Sequence, residues 1–135
     1  MTAFLKKAGP DLKSQIYRLS HHGALHANPE NFLSFIKAEY VFSSSGYRYG
    51  HPRCEIYDYY KNRLPNILPS HPYTCFNVVS GKYVPLNINI KKPMLVTSLF
   101  REKSPGQWVK SYYIVEFSIS GCGHVDVKFT HIGDE

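Results

Sequence analysis

The sequence predicts an α/β fold in its first half, passing into a mostly antiparallel β-rich second half. Three observations carry this. Two apolar, β-leaning runs, Ile16-Tyr17-Arg18-Leu19 and Tyr40-Val41-Phe42, stand on either side of a segment with helical spacing. A second helical segment follows the second run, so the order is strand–loop–helix–strand–loop–helix, which is the pattern of parallel strands with crossover helices. Beyond Leu64-Pro65 the texture changes to short β-type runs separated by turn signals.

In chain order, Thr2 to Lys7 read as the end of a helix stopped by Gly9-Pro10. Gln15 to Ser20 form the first strand. Asn28 is placed to cap the next helix, with Pro29 at its first position and Glu30 in the first turn, where a carboxylate offsets the helix dipole. Phe32, Leu33, Phe35 and Ile36 then define a helix from Pro29 to about Ala38. Tyr40 to Ser44 are the second strand, and Ser45 to Gly50 a loop. Pro52 opens a helix to about Arg63, with Ile56, Tyr59 and Tyr60 on one face. Pro65, Pro69 and Pro72 punctuate a linker-like stretch. Strands are expected at Tyr73–Val79, Tyr83–Ile90, Met94–Phe100, Tyr112–Ile119 and His124–His131, with turns at Ser80-Gly81 and Ser120-Gly121-Cys122-Gly123 and a polar loop over Arg101–Gln107. Alternation at Val115, Phe117, Ile119 and at Val125, Val127, Phe129 marks the last two as an antiparallel hairpin. A chain of 135 residues fits one domain, 1–135, with an α/β part over 1–64 and a β-rich part over 65–135.

At 43% hydrophobic and 15% aromatic residues the chain can bury a core and is not of the disordered class. No apolar run reaches the length of a membrane span, and the early Lys6-Lys7 does not suit a secretory leader, so a cytoplasmic location is expected. The net charge of +6 and the pI near 9.2 favour polyanionic partners such as nucleic acid, although the basic residues are scattered as they are on any solvated surface. Cys54, Cys75 and Cys122 match neither a disulfide framework nor a CxxC knuckle and read as reduced thiols.

The chemistry lies in two histidine motifs, Ser20-His21-His22-Gly23 and Tyr49-Gly50-His51-Pro52, each just after a predicted strand. Loops at the ends of neighbouring parallel strands are where α/β folds gather ligands, and imidazole is the commonest protein ligand for zinc. Together with the Ser43–Gly46 stretch between them, HHG and GHP make residues Ile16 to Leu64 similar to the late part of a metallo-β-lactamase-fold hydrolase, of the branch typified by ComEC-like competence proteins. The resemblance extends weakly to the later strands. It implies a partial αββα fold and a hydrolase using zinc or manganese on a phosphodiester, with DNA as the substrate of that branch. It also implies that His21, His22 and His51 bind metal or touch the reacting phosphate.

The chain departs from the family in ways that bear on activity. The main metal motif, HxHxDH, does not occur, no Gly-Asp pair precedes HHG to supply the bridging aspartate, and Asp11 lies too near HHG to replace it. Gln15 stands where an acidic residue is common, and Ala24 where a serine is usual. The expectation is therefore the C-terminal portion of such an enzyme, inactive unless a complementary N-terminal half completes it. The alternative is a non-catalytic module that binds nucleic acid or protein with the retained half of the fold, or a fragment with no independent role.

Arg48 and Arg53 flank the second motif and are candidates to hold a substrate phosphate through bidentate contacts. Among the other histidines, His26 reads as a solvated surface residue, His71 as a turn residue, and His124 and His131 as structural. Tyr57, Tyr59 and Tyr60 form either a base-stacking platform or, with at least two rings, part of the core.

Overall fold

The computed structural model describes residues 12–45, 49–61, 63, 73–88 and 95–135. The expected helix end at Thr2–Lys7, the proline-rich stretch, His71 and Arg48 lie outside them.

The first half follows the expected order. β1 (Ile16–Arg18) leads through two short 3-10 turns to α1 (Glu30–Ile36), β2 (Tyr40–Ser43) and α2 (Cys54–Tyr60). β1 and β2 pair in parallel, Ile16 to Tyr40 and Arg18 to Phe42. A third parallel strand, β5 (Leu95–Val96), lies on the other side of β2, giving the order β1-β2-β5. β2 is apolar along most of its length because both of its faces are covered, as in other sheets with parallel strands. On one face Val41 joins Leu33 and Ile36 of α1, Ile56, Tyr57 and Tyr60 of α2, and Val96 in the hydrophobic core. On the other face the Tyr40 and Phe42 rings meet Phe117, at centroid distances of 6.1 and 5.4 Å.

The second half is antiparallel. β3 (Tyr73–Val79) and β4 (Lys82–Ile88) form a hairpin, and β6 (Ser98–Ser104), β7 (Gln107–Ile119) and β8 (Val125–Asp134) form a sheet in that order. The β7–β8 hairpin supplies Phe117 and Val125, and the Tyr40 hydroxyl donates to the Val125 carbonyl at 3.2 Å. Mixed α/β architecture thus holds, with a helical layer and a β layer on opposite faces of the parallel sheet.

Three local expectations are corrected. The run from Met94 to Phe100 is two strands, because the chain changes sheets at Thr97. The Thr97 N–H donates to Ser43 of β2, and its carbonyl accepts from Tyr113 of β7. The polar loop expected over Arg101–Gln107 is the end of β6, a turn, and the start of β7. β6 is an edge strand, where polar residues are tolerated and hydropathy carries little signal. Finally, Cys54 and Cys75 are joined as a disulfide rather than reduced, tying the start of α2 to β3 with a Cα–Cα distance of 4.9 Å, while Cys122 is free and exposed. Sequence spacing alone had no means of bringing β3 under α2.

Candidate functional site

Both histidine loops leave the C-terminal ends of adjacent parallel strands, HHG after β1 and GHP after β2. The HHG loop is wound tightly. His21 (φ 47°, ψ 49°) and His22 (φ 57°, ψ 21°) both take the left-handed conformation, and Gly23 follows at φ 87°. For residues with a Cβ this conformation costs roughly 1–2 kcal/mol each, so the surroundings must hold it.

Asn28 does much of that holding. Its side chain is 1% exposed. The amide nitrogen donates to the carbonyls of Ser20 (2.8 Å) and Ala24 (2.7 Å). The amide oxygen accepts from the Ser20 N–H (3.0 Å) and the Tyr17 hydroxyl (3.1 Å). Asn28 therefore does not cap α1 as expected; Pro29 occupies the cap position, and the Asn28 amide pairs with the loop as a strand's backbone would. Ser43 of β2 adds a further tie, donating from Oγ to the His22 carbonyl at 2.8 Å.

The two motifs touch directly. A Cβ built on Gly23 would lie 2.7 Å from Pro52 Cβ and 3.1 Å from Pro52 Cα, so only glycine fits against the GHP loop. The Arg53 N–H donates to the Gly23 carbonyl at 3.2 Å, and Phe76 N–H to the Pro52 carbonyl at 3.1 Å. Pro52, expected to open the helix, is instead the contact surface for Gly23. The helix begins at Cys54, with Arg53 at its cap.

The histidine rings converge as a result. His21 lies 6.2 Å from His22 and 5.6 Å from His51, centroid to centroid. His26, expected to be a solvated residue with no role here, is exposed but joins the group. Its ring is 5.2 Å from that of His21, with Nε2 3.3 Å from His21 Nδ1. The two 3-10 turns, Ser20–Gly23 and Leu25–Ala27, fold the chain back on itself and bring these residues together. No periodicity predicts a contact five residues apart across successive turns, so the sequence offered no signal for His26.

The imidazoles are not equivalent. His22 Nδ1–H donates to the Ser44 carbonyl, which turns its Nε2 away from that bond. A ring nitrogen held by a backbone carbonyl is the usual way a protein orients a metal-binding histidine. His51 Nδ1 is buried with no hydrogen-bond partner among the described residues. Burial first, and then the positive charge of Arg53 and the neighbouring imidazoles, hold the His51 pKa below the ordinary histidine value. A folded pKa below the unfolded one means that the unfolded chain binds the extra proton first. The stabilisation from neutral His51 is therefore complete above the unfolded pKa and is lost as pH falls through the folded one. The expected NMR titration places His51 of the folded protein below the same histidine in the urea-unfolded chain. A folded His51 midpoint equal to or above the unfolded one would contradict the buried placement.

Other candidates resolve as follows. Arg53, two residues after His51 at the cap of α2, carries a positive charge that helps to hold the His51 pKa down. Gln15, at the position where an acidic residue was sought, donates to the Gly123 carbonyl at 3.0 Å and is occupied structurally. Ala24 is fully buried. Tyr57 and Tyr60 are core residues, and Tyr59 packs against the core with the Arg63 guanidinium 4.2 Å from its ring centroid, so the three rings do not form an open stacking platform. His131 Nε2 pairs with Asp134 at 3.0 Å, away from the loops.

For zinc, the donor type is right and the number falls short. Among the described residues no group of three or more His, Cys, Asp or Glu side chains is disposed to hold a metal ion. No helix among them is long and apolar enough to cross a membrane. Comparisons of the chain with protein-family models, with curated proteins and with solved structures found no match.

Proposed function

We propose that this chain carries the histidine loops of a metallo-β-lactamase-fold hydrolase acting on phosphodiesters, and that the remaining ligands of its metal centre come from outside these 135 residues. The observation that supports this most is the convergence of His21, His22 and His51, which are brought within ring contact by two loops at the ends of adjacent parallel strands. Left-handed backbone at two successive non-glycine residues supports it further, since such conformations collect at functional sites. In a complete centre the metal would activate water and offset charge on the phosphate. The residues here supply imidazole donors, and Arg53 supplies a cation beside them for a phosphate oxygen.

The test is binding of a short single-stranded DNA oligonucleotide, followed by NMR, with and without zinc. The expected result is zinc-dependent perturbation centred on His21, His22, His51 and Arg53, weakened by His21→Ala and by His51→Ala, and no turnover of bis(p-nitrophenyl) phosphate by the chain alone. Binding that falls with salt but survives chelator and both substitutions would overturn this reading. It would favour the non-catalytic nucleic-acid module instead, to which the net charge of +6 is suited.

A further inference from the structure

We infer that the Cys54–Cys75 disulfide is a redox-controlled latch on the two histidine loops. Oxidised, it holds the GHP loop against Gly23; reduced, it lets the two loops part while the rest of the fold stays. This goes beyond the function proposed above and is independent of it, since it concerns how the loops are held and not what they bind.

The bond lies inside the contact between the loops. Cys54 directly follows Arg53, whose N–H donates to the Gly23 carbonyl at 3.2 Å. Cys75 directly precedes Phe76, whose N–H donates to the Pro52 carbonyl at 3.1 Å. Arg53 and Phe76 are themselves joined by a parallel β-bridge. Pro52 in turn is the residue against which Gly23 packs. The cross-link therefore joins the chain neighbours of the groups that carry the HHG–GHP contact, and a Cα–Cα distance of 4.9 Å leaves those neighbours little room to separate.

Backbone pairing alone gives this junction little support. β3 and β4 form a two-stranded sheet of their own, and among the described residues the Arg53–Phe76 bridge is the one strand-type pairing that joins them to the α/β part. What remains without the bond is burial. Cys75 and Phe76 are 0% and 6% exposed, so β3 stays packed when the link opens. The cysteines are 21 residues apart in the chain, and a cross-link closing a loop of that size shifts the equilibrium against separation by up to about a hundredfold. Reduction gives that restraint up at one place in the fold.

The reductant is a dithiol, and the step is thiol–disulfide exchange. One thiolate of the dithiol attacks Cys54 Sγ, forms a mixed disulfide, and releases Cys75 as a thiolate that takes up a proton. The second thiol, losing its own proton, displaces Cys54, which is protonated in turn. The reductant leaves as its own disulfide, and two electrons and two protons have passed to the protein. Cys54 is the sulfur attacked, because it retains 8% exposure while Cys75 has none. The positive charge of Arg53, the preceding residue, attracts the anionic attacking group. Oxidising surroundings keep such a bond closed and reducing ones open it, so the state of the loops follows the surroundings.

The test uses the full chain carrying Cys122→Ser, which removes the exposed free thiol. It is compared oxidised and in excess dithiothreitol, at neutral pH without denaturant. Thiols are counted by alkylation and mass, and the structure is followed by NMR with amide hydrogen exchange. Reduction is expected to expose two thiols with circular dichroism retained. The Arg53 and Phe76 amides should exchange about tenfold to a hundredfold faster, and the His21 and His51 rings should shift, while β7–β8 amides are unchanged. Oxidised glutathione should reverse the change, and Cys54→Ala with Cys75→Ala should reproduce the reduced state.

A bond that stays intact until urea is added is a buried brace, and overturns the inference. Reduction that leaves Arg53, Phe76 and the His51 ring unchanged overturns it too, because the loops are then held by other means. Loss of β7–β8 protection on reduction shows that the bond supports the whole fold rather than the loops, and is equally fatal. If the double alanine variant does not fold, the reduced parent still decides between these outcomes.

Discussion

Replacing Gly23 with alanine is expected to destabilise the protein more than the same change at Gly81, Gly106, Gly121, Gly123 or Gly133. Two effects add. At φ 87° a residue with a Cβ is strained, by roughly 1–2 kcal/mol. The new methyl would also lie 2.7 Å from Pro52 Cβ and 3.1 Å from Pro52 Cα, and overpacking of this kind costs roughly 1–3 kcal/mol. The sum, roughly 2–5 kcal/mol, is a large part of a typical domain's stability. Gly81→Ala is the control. Gly81 has φ 77° at the β3–β4 turn, and nothing lies within 4 Å of its built Cβ, so it reports the conformational part alone. Urea unfolding of the two variants separates strain from contact. Equal losses would mean that the HHG and GHP loops do not touch, and the convergence of the histidines would lose its cause. A larger loss for Gly23→Ala, with shifted resonances at both His21 and His51, is the expected outcome.

The second large effect is at Asn28. Asn28→Ala deletes four hydrogen bonds at a buried position and leaves two carbonyls and an N–H of the HHG loop to find water. Unpaired buried groups cost about 1–3 kcal/mol each and partial rehydration returns some of it, so a loss of roughly 2–4 kcal/mol is expected. Asn28→Asp is a finer probe, because it keeps the shape and the accepting oxygen but turns a donor toward the Ser20 and Ala24 carbonyls into an acceptor. At neutral pH it should destabilise at least as much as alanine. The introduced carboxyl has a folded pKa raised by burial and by those carbonyls. Its penalty should therefore grow as pH rises through the ordinary aspartate range and shrink as pH falls, when a protonated carboxyl can donate again. A denaturation series over pH for Asn28→Asp against the parent measures this. A penalty independent of pH would mean that the Asn28 amide nitrogen does not face those carbonyls.

Both predictions concern residues whose roles could not be read in one dimension. Asn28 looked like a helix cap because asparagine before Pro-Glu fits that pattern. The capping preference reflects a side chain that bonds nearby backbone, and here the nearby backbone was on the other side, in the loop before rather than the helix after. His26 looked like an isolated surface imidazole because its contact with His21 depends on two successive turns, the first of them built on left-handed residues. The disulfide was invisible for a related reason, since Cys54 and Cys75 meet only once β3 is set beside the start of α2. β5 and β6 read as one strand because alternation and hydropathy describe a residue's environment and not which neighbour it bonds.

By itself the sequence determined the local plan. Apolar periodicity placed β1, α1, β2 and α2 in order, alternation placed the β7–β8 hairpin, and the histidines were placed at the ends of two strands, because each of these signals is carried by residues close together in the chain. Only the tertiary structure decided how the two loops interlock, through the space left by one glycine against one proline. It also decided which imidazoles share a surface and which side chains hold them there. Those outcomes depend on contacts that no sequence period describes, from Asn28 reaching back to Ser20 to Gly23 meeting Pro52, where side-chain shape and unpaired backbone groups select the partner.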